Sequence, residues 1–258
     1  MQTVLIGVVI AAAGLFLSML RLARMDGAPA PVLPLPRLKG YDFIVGGVIF
    51  IGMQLGFIVL IQLPAGAENK IPLWLNLVSA LIAGGSTWAW LGWRAGSFLP
   101  RRRAVPERKV DCLGTAFRCY LLSLPGLLGI SYFNYHLVAL VAGEGPSQAV
   151  AVGFDELGLL DMGLAFIFIG ITQPCMEEVL FRGYLWRHFA GRSDFGPRRA
   201  LLFSSLVFAL AHEWQVFLPV FYLGLTFGWI YWRSGKLRHA IAIHALHNSC
   251  AVGLIAFL

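Results

Sequence analysis

The sequence predicts an all-α fold: a polytopic transmembrane bundle of about eight helices with both termini outside. Three observations carry that expectation. Only 13% of the 258 residues are charged and 58% are hydrophobic, where a soluble domain carries about 25% charged residues. The apolar residues, which raise the mean hydropathy to +0.74, gather in runs close to the roughly 20 residues a helix needs to cross a bilayer. The basic residues fall into alternate loops between those runs.

Taken in order, the first run is Gln2–Leu20. It has no basic stretch before it and arginines Arg21 and Arg24 after it, so it is expected to be a span with its amino end outside, not a secretory signal. The Pro-rich "RMDGAPAPVLPLPRLKG" that follows is a cytoplasmic linker. Phe43–Ala67, Ile71–Trp93 and Cys119–Gly143 are the next three spans, and "RRRAVPERK" precedes the last of them. Two weaker runs, Leu157–Met176 and Ala200–Ala211, and two strong ones, Trp214–Trp232 and Ala240–Leu258, complete the set. Arg21, Arg24, Arg37 and Lys39 belong to the first loop, and Arg94, Arg101, Arg102, Arg103, Arg108 and Lys109 to the third. Arg182, Arg187, Arg192, Arg198 and Arg199 belong to the fifth, and Arg233, Lys236 and Arg238 to the seventh. The other loops hold only Lys70, beside Glu68, Glu144, Asp155 and Glu156. Positive charge marks the cytoplasmic side, which puts odd loops inside and both termini outside.

The net charge of +7 is explained by loops facing anionic lipid headgroups, so membrane lipids and no nucleic acid are the expected partners. Cys112, Cys119, Cys175 and Cys250 form no C-x-x-C pair, and neither a disulfide framework nor a thiolate metal site is indicated. No internal repeat supports an inverted-repeat transporter. The chain divides in two: residues 1–150, four spans with almost no ionisable group inside them, and residues 151–258, which hold nearly all the intramembrane polarity.

Ionisable groups inside a membrane helix cost about 2.5–3.5 kcal/mol each on insertion scales, which makes them functional candidates. Three sets occur: Glu177, Glu178 and Arg182; His212; and His244, His247 and Asn248. Each has a plain structural reading, as a helix-end anchor, a packing histidine or an interhelical hydrogen bond. Depth argues otherwise. With the fifth helix continuing past Pro174 to leave the bilayer near Arg187, Glu177 lies about 15 Å below the cytoplasmic surface. The same arithmetic puts His212 at about 18 Å, His244 at about 10 Å and Asn248 at about 16 Å. Glu178 and Arg182 share a helix face and can pair. Glu177 points about 100° away without such a partner. A buried carboxylate with a like charge beside it is a competent general base for water. His244 and Asn248 also share a face and can both donate to a developing oxyanion.

Ala200–Trp232 spans 33 residues, short for two full crossings. With Pro219 inside it, the hairpin is expected to stop partway beside a water-filled cavity, with Glu213 facing the outer interface. A zinc hydrolase is the nearest rival chemistry, with Glu177, His212 and His244 as ligands and an open position for water. "HEWQV" lacks the second His of H-E-x-x-H, however. Ser204, Ser205 and Cys175 lie nearby, but none stands in G-x-S-x-G, and His239 and His247 are expected to be structural or interfacial. A transporter with a buried proton relay and a non-catalytic membrane scaffold or immunity protein remain readings of other classes.

At these residues the chain resembles the CPBP (Abi) intramembrane proteases, a family that includes the CAAX prenyl endopeptidases. The family pattern E-E-x-x-x-R, F-x-x-x-H, H-x-x-x-N is matched in order by Glu177-Glu178-Val-Leu-Phe-Arg182, Phe208-Ala-Leu-Ala-His212 and His244-Ala-Leu-His-Asn248. The resemblance covers about residues 160–255. It implies an endopeptidase acting on a membrane-anchored peptide or protein in the plasma membrane of a prokaryote. It further implies that Glu177 and His212 activate water, that His244 and Asn248 hold the oxyanion, and that Glu178 and Arg182 support the site. The family has often been labelled metalloprotease; Asn248 suits an oxyanion hole better than zinc, so no cofactor is the preferred expectation.

Overall fold

The computed structural model describes residues 37–62, 73–97, 113–143, 145 and 158–257, together with Leu35 and scattered positions between 6 and 17. Most of Gln2–Leu20, most of the Pro-rich linker, "RRRAVPERK", Lys70, Cys112 and the acids Glu68, Glu144, Asp155 and Glu156 lie outside the described residues. Among the described residues every regular element is helical, as the composition predicts. Helix α1 is Gly40–Phe57, prolonged by a π-helical turn over Ile58–Gln62. Helices α2 (Leu73–Ala95) and α3 (Leu113–Ala142) follow. Helix α4 is a continuous rod from Leu159 to Ala190, wound as π-helix over Phe168–Thr172 and Val179–Trp186. Helix α5 is Gly196–Leu210, α6 is Phe217–Ser234 and α7 is Leu237–Phe257. The scattered positions between 6 and 17 are also helical, where the first span is expected.

Local chemistry sets several boundaries. Asp42 starts α1 by accepting the Lys39 backbone N–H at 2.7 Å, where a carboxylate also suits the positive end of the helix. Helix α6 ends at Gly235, whose φ of 65° is left-handed and open to glycine at no steric cost. Pro174 has no N–H for the Gly170 carbonyl one turn back. Ser249 Oγ of α7 reaches that carbonyl instead, at 3.4 Å. The rod therefore continues through the proline, as the sequence predicts.

Among the described residues four helices are long and apolar enough to cross a membrane: Gly40–Ile61, Ala116–Ala142, Leu159–Ala190 and Trp214–Ser234. They differ in place. Half of the Trp214–Ser234 span is buried against 6% of Gly40–Ile61, so α6 is the inner helix and α1 a peripheral one. Tyr222, Leu223, Phe227 and Ile230 of α6 pack with Ala116, Tyr120 and Leu127 of α3 and Ile243 of α7. The outward faces stay apolar, with Ile44, Val48 and Ile51 on α1 and Leu202, Leu206 and Leu210 on α5 all exposed; lipid is the solvent in which such faces cost nothing.

Helix α5 has 15 residues, about 22 Å of rise against a hydrocarbon core of about 30 Å. The chain then breaks at Ala211–Glu213 before a short 3₁₀ turn, Trp214–Val216, leads into α6. The short helix read from the run Ala200–Ala211 is present, and Glu213 is exposed. One expectation needs correction. Arg182 and Arg187, counted among the loop charges, are both buried within the α4 rod.

Candidate active site

The site is built where α4, α5, α6 and α7 meet, and its deepest element is an ion pair. Glu178 and Arg182 stand one turn apart on α4, with side chains 0% and 1% exposed and Glu178 Oε1 2.9 Å from Arg182 Nη1. The pairing expected from the i, i+4 spacing is formed. Arg182 has more than its carboxylate: Nη2 donates to the Gly224 carbonyl of α6 at 2.8 Å, and the guanidinium lies 4.6 Å from the Phe208 ring centre on α5. A buried guanidinium needs its charge paired in this way, although Nε of Arg182 is buried with no hydrogen bond. Gly224 lets α5 and α6 pack closely here, because a Cβ there would stand 3.1–3.3 Å from Ser205 and Phe208.

Glu178 Oε1 has a second partner, His244 Nδ1 of α7, at 2.9 Å. A carboxylate oxygen accepts, so Nδ1 carries the proton of this bond. In the neutral ring that leaves the lone pair on Nε2, which faces Glu177 Oε2 at 3.7 Å. The ring is clamped by Phe227, stacked at 4.5 Å and 23°. His212 has the same asymmetry. Its Nδ1 bonds the Phe208 carbonyl one turn back at 2.8 Å; a carbonyl only accepts, so Nε2 of the neutral ring is the basic nitrogen. Phe208 ties the three motifs together: its ring centre is 4.8 Å from His212 and 5.8 Å from His244, besides its contact with Arg182.

Two angular expectations are revised. Glu177 is not without a partner, because Gln173 Nε2 donates to its Oε1 at 2.6 Å. Its other oxygen, Oε2, is buried with no hydrogen bond. Asn248 does share a face with His244, but its Nδ2 donates to the Ile169 carbonyl at 3.0 Å. Ile169 lies in the first π-helical stretch of α4, where the i→i+5 pattern disturbs the usual carbonyl pairing. Asn248 and Ser249 together supply donors to that stretch. His247 bonds Tyr120 OH of α3 at 2.9 Å, which fits the structural role expected of it. Ser204 Oγ bonds the Leu201 carbonyl of its own helix, as a packing serine does.

Gln173, Tyr120, Phe227 and Gly224 were not singled out by the sequence. Only Gln173 left a signal, standing one helical turn before Glu177. A zinc ion calls for three converging protein ligands. Among the described residues no three His, Cys, Asp or Glu side chains are so gathered, and His244 presents each ring nitrogen to a carboxylate. As arranged, Glu177, His212 and His244 are not gathered as a set of three ligands. Chemically the arrangement offers a carboxylate oxygen and two imidazole lone pairs, positioned by an ion pair deep in the bundle.

The family model described as "Type II CAAX prenyl endopeptidase Rce1-like" matches residues 160–250. UPF0177 protein YxdF of Lactococcus lactis subsp. lactis (strain IL1403) is 30% identical over 132 residues, 47% of this chain and 71% of that protein. The membrane-embedded CAAX protease MroQ of Staphylococcus aureus (strain USA300) is 36% identical over 90 residues, 33% of this chain and 36% of that protein. No solved structure matches significantly.

Proposed function

The chain belongs to the CPBP family of membrane proteases, and from that premise we propose that it is an intramembrane endopeptidase cleaving a membrane-anchored peptide or protein, in the manner of CAAX processing. The observation that carries the reading is Glu177 Oε2, a buried carboxylate oxygen with no hydrogen bond, facing His244 Nε2 at 3.7 Å. Glu177 takes one proton from a water oriented by the Nε2 lone pair of His212, and the hydroxide attacks the scissile carbonyl. The oxyanion is held by His244 and Asn248. From its Nε2, His244 can donate only as the doubly protonated imidazolium, with Glu178 holding its Nδ1 proton. Asn248 retains one amide N–H beyond the bond to Ile169. When the intermediate collapses, the proton taken from water passes to the leaving amine. Glu178 and Arg182 position His244 and touch no substrate. The working place is the plasma membrane of a prokaryote, a setting the bacterial relatives support, with membrane lipids as surroundings.

The test is cleavage of internally quenched, membrane-anchored peptides, prenylated and unprenylated, by the protein in proteoliposomes. Cleavage lost in Glu177→Ala is expected; full activity in that variant would remove Glu177 from the base role. Absence of cleavage of every anchored peptide would favour a non-catalytic scaffold or immunity protein. A zinc-dependent reading at Glu177, His212 and His244 has one contact in its favour, since a carboxylate on the far nitrogen is how metal-bound histidines are oriented. Metal content and activity are therefore measured on the same sample. Activity with far less than one zinc per chain is expected, and stoichiometric zinc lost together with activity in His212→Ala and His244→Ala would reverse the choice.

A further inference from the structure

Gln173 stands on an outward part of α4, between the exposed apolar side chains of Ile167 and Ile171 on one side and the half-buried Glu177 on the other. At membrane depth an amide without partners costs several kcal/mol. Gln173 gives its donor to a carboxylate oxygen one turn away, at 2.6 Å. Oε1 of Glu177 is thereby fixed, and Oε2 is the oxygen turned to His244 Nε2. An uncharged donor can do this without neutralising the carboxylate, as a lysine or arginine there would do.

We propose that Gln173 is the positioning residue of Glu177: its amide holds Oε1 so that Oε2 alone meets the reacting water. The proposal rests on the protease reading given above and deepens it. It differs from a packing role in requiring the hydrogen bond, not the volume of the side chain. Gln173→Met keeps the length and bulk and removes the donor. Gln173→Glu keeps a donor only while its new carboxyl is protonated; once ionised, it stands against a like charge.

The full-length protein in proteoliposomes is the test system, with an internally quenched, prenyl-anchored peptide as the probe. Infrared difference spectra against Glu177→Gln isolate the carboxylate stretch of Glu177. In Gln173→Met that band is expected to move. The same variant should lose about 10- to 100-fold in kcat, the worth of one hydrogen bond to a charged group. Its KM should stay within about twofold, since only the chemical step is touched. Gln173→Glu should cleave only in the pH window where the two neighbouring carboxyls share one proton, and lose cleavage both above and below it. An unmoved band in Gln173→Met, or wild-type kcat in a preparation where Glu177→Ala is dead, would overturn the proposal. An active Glu177→Ala would instead defeat the protease reading's base, and the infrared band would still decide whether Gln173 holds that carboxylate.

Discussion

Of the arginine–carboxylate pairs among the described residues, one in each half of the chain is buried on its acid side, and the two are built differently. Asp42 and Arg94 pin α1 to α2 at 2.7 Å, with Asp42 wholly buried and Arg94 30% exposed. Tyr41 OH and the faces of Trp90 and Trp93 complete the surroundings of that guanidinium. Glu178 and Arg182 form their pair with both side chains shielded from solvent and with an imidazole bonded to the same carboxylate oxygen. The first is a fastening at a helix end, where one charge keeps access to water. The second is a charge pair whose cost is met only by partners from three further helices. Burial of both partners, and the convergence of other ionisable groups on one of them, is what separates a site from an anchor in a membrane bundle.

The strongest way to break that contrast is to leave one charge of each pair alone. Arg182→Ala or Glu178→Ala should cost about 3–5 kcal/mol of stability, because the remaining buried charge has lost its counter-ion. Thermal unfolding in lipid measures this, and a wild-type melting curve for either variant would refute the description of the pair. Next in size are the residues whose loss should spare the fold. Glu177→Ala, His212→Ala and His244→Ala should each abolish cleavage in protein that still inserts, while Asn248→Ala loses about 10²- to 10³-fold, the cost of one oxyanion donor. Asp42→Asn should loosen the α1–α2 contact, seen as faster proteolysis or amide exchange of α1, and leave kcat unchanged; a large fall in kcat would erase the distinction between the halves. The smallest effect belongs to Asp194 in the α4–α5 connection. The bond from Arg192 holds its carboxyl below the ordinary carboxylate range. Its contribution is thus complete above that range and is lost as pH falls through the lowered value. As the pair is exposed and screened by solvent, Asp194→Asn should barely alter the acid unfolding midpoint.

Side-chain order made part of this legible beforehand. The i, i+4 spacing of Glu178 and Arg182 fixes their contact wherever a helix forms, and the short run Ala200–Ala211 announces a helix that stops early. What escaped reading depends on backbone detail and on competition between partners. Nothing in residue periodicity signals that α4 winds as π-helix at Phe168–Thr172, so Asn248's commitment to the Ile169 carbonyl could not be anticipated. His244 could have turned its Nδ1 to any nearby acceptor; that it meets Glu178 depends on how α4 and α7 pack. Counting Arg182 and Arg187 as loop charges failed because a count along the chain does not register that a guanidinium can be paired inside.

The brevity of α5 has a consequence for the surrounding lipid. A helix about 22 Å long in a hydrocarbon layer of about 30 Å leaves a mismatch of about 8 Å on one flank, and bilayers answer such mismatch by thinning locally. His212 comes two residues after the end of that helix, so the thinned annulus would border the reaction centre. Acyl-chain length therefore bears on that flank: thin membranes relieve the mismatch and thick ones strain it.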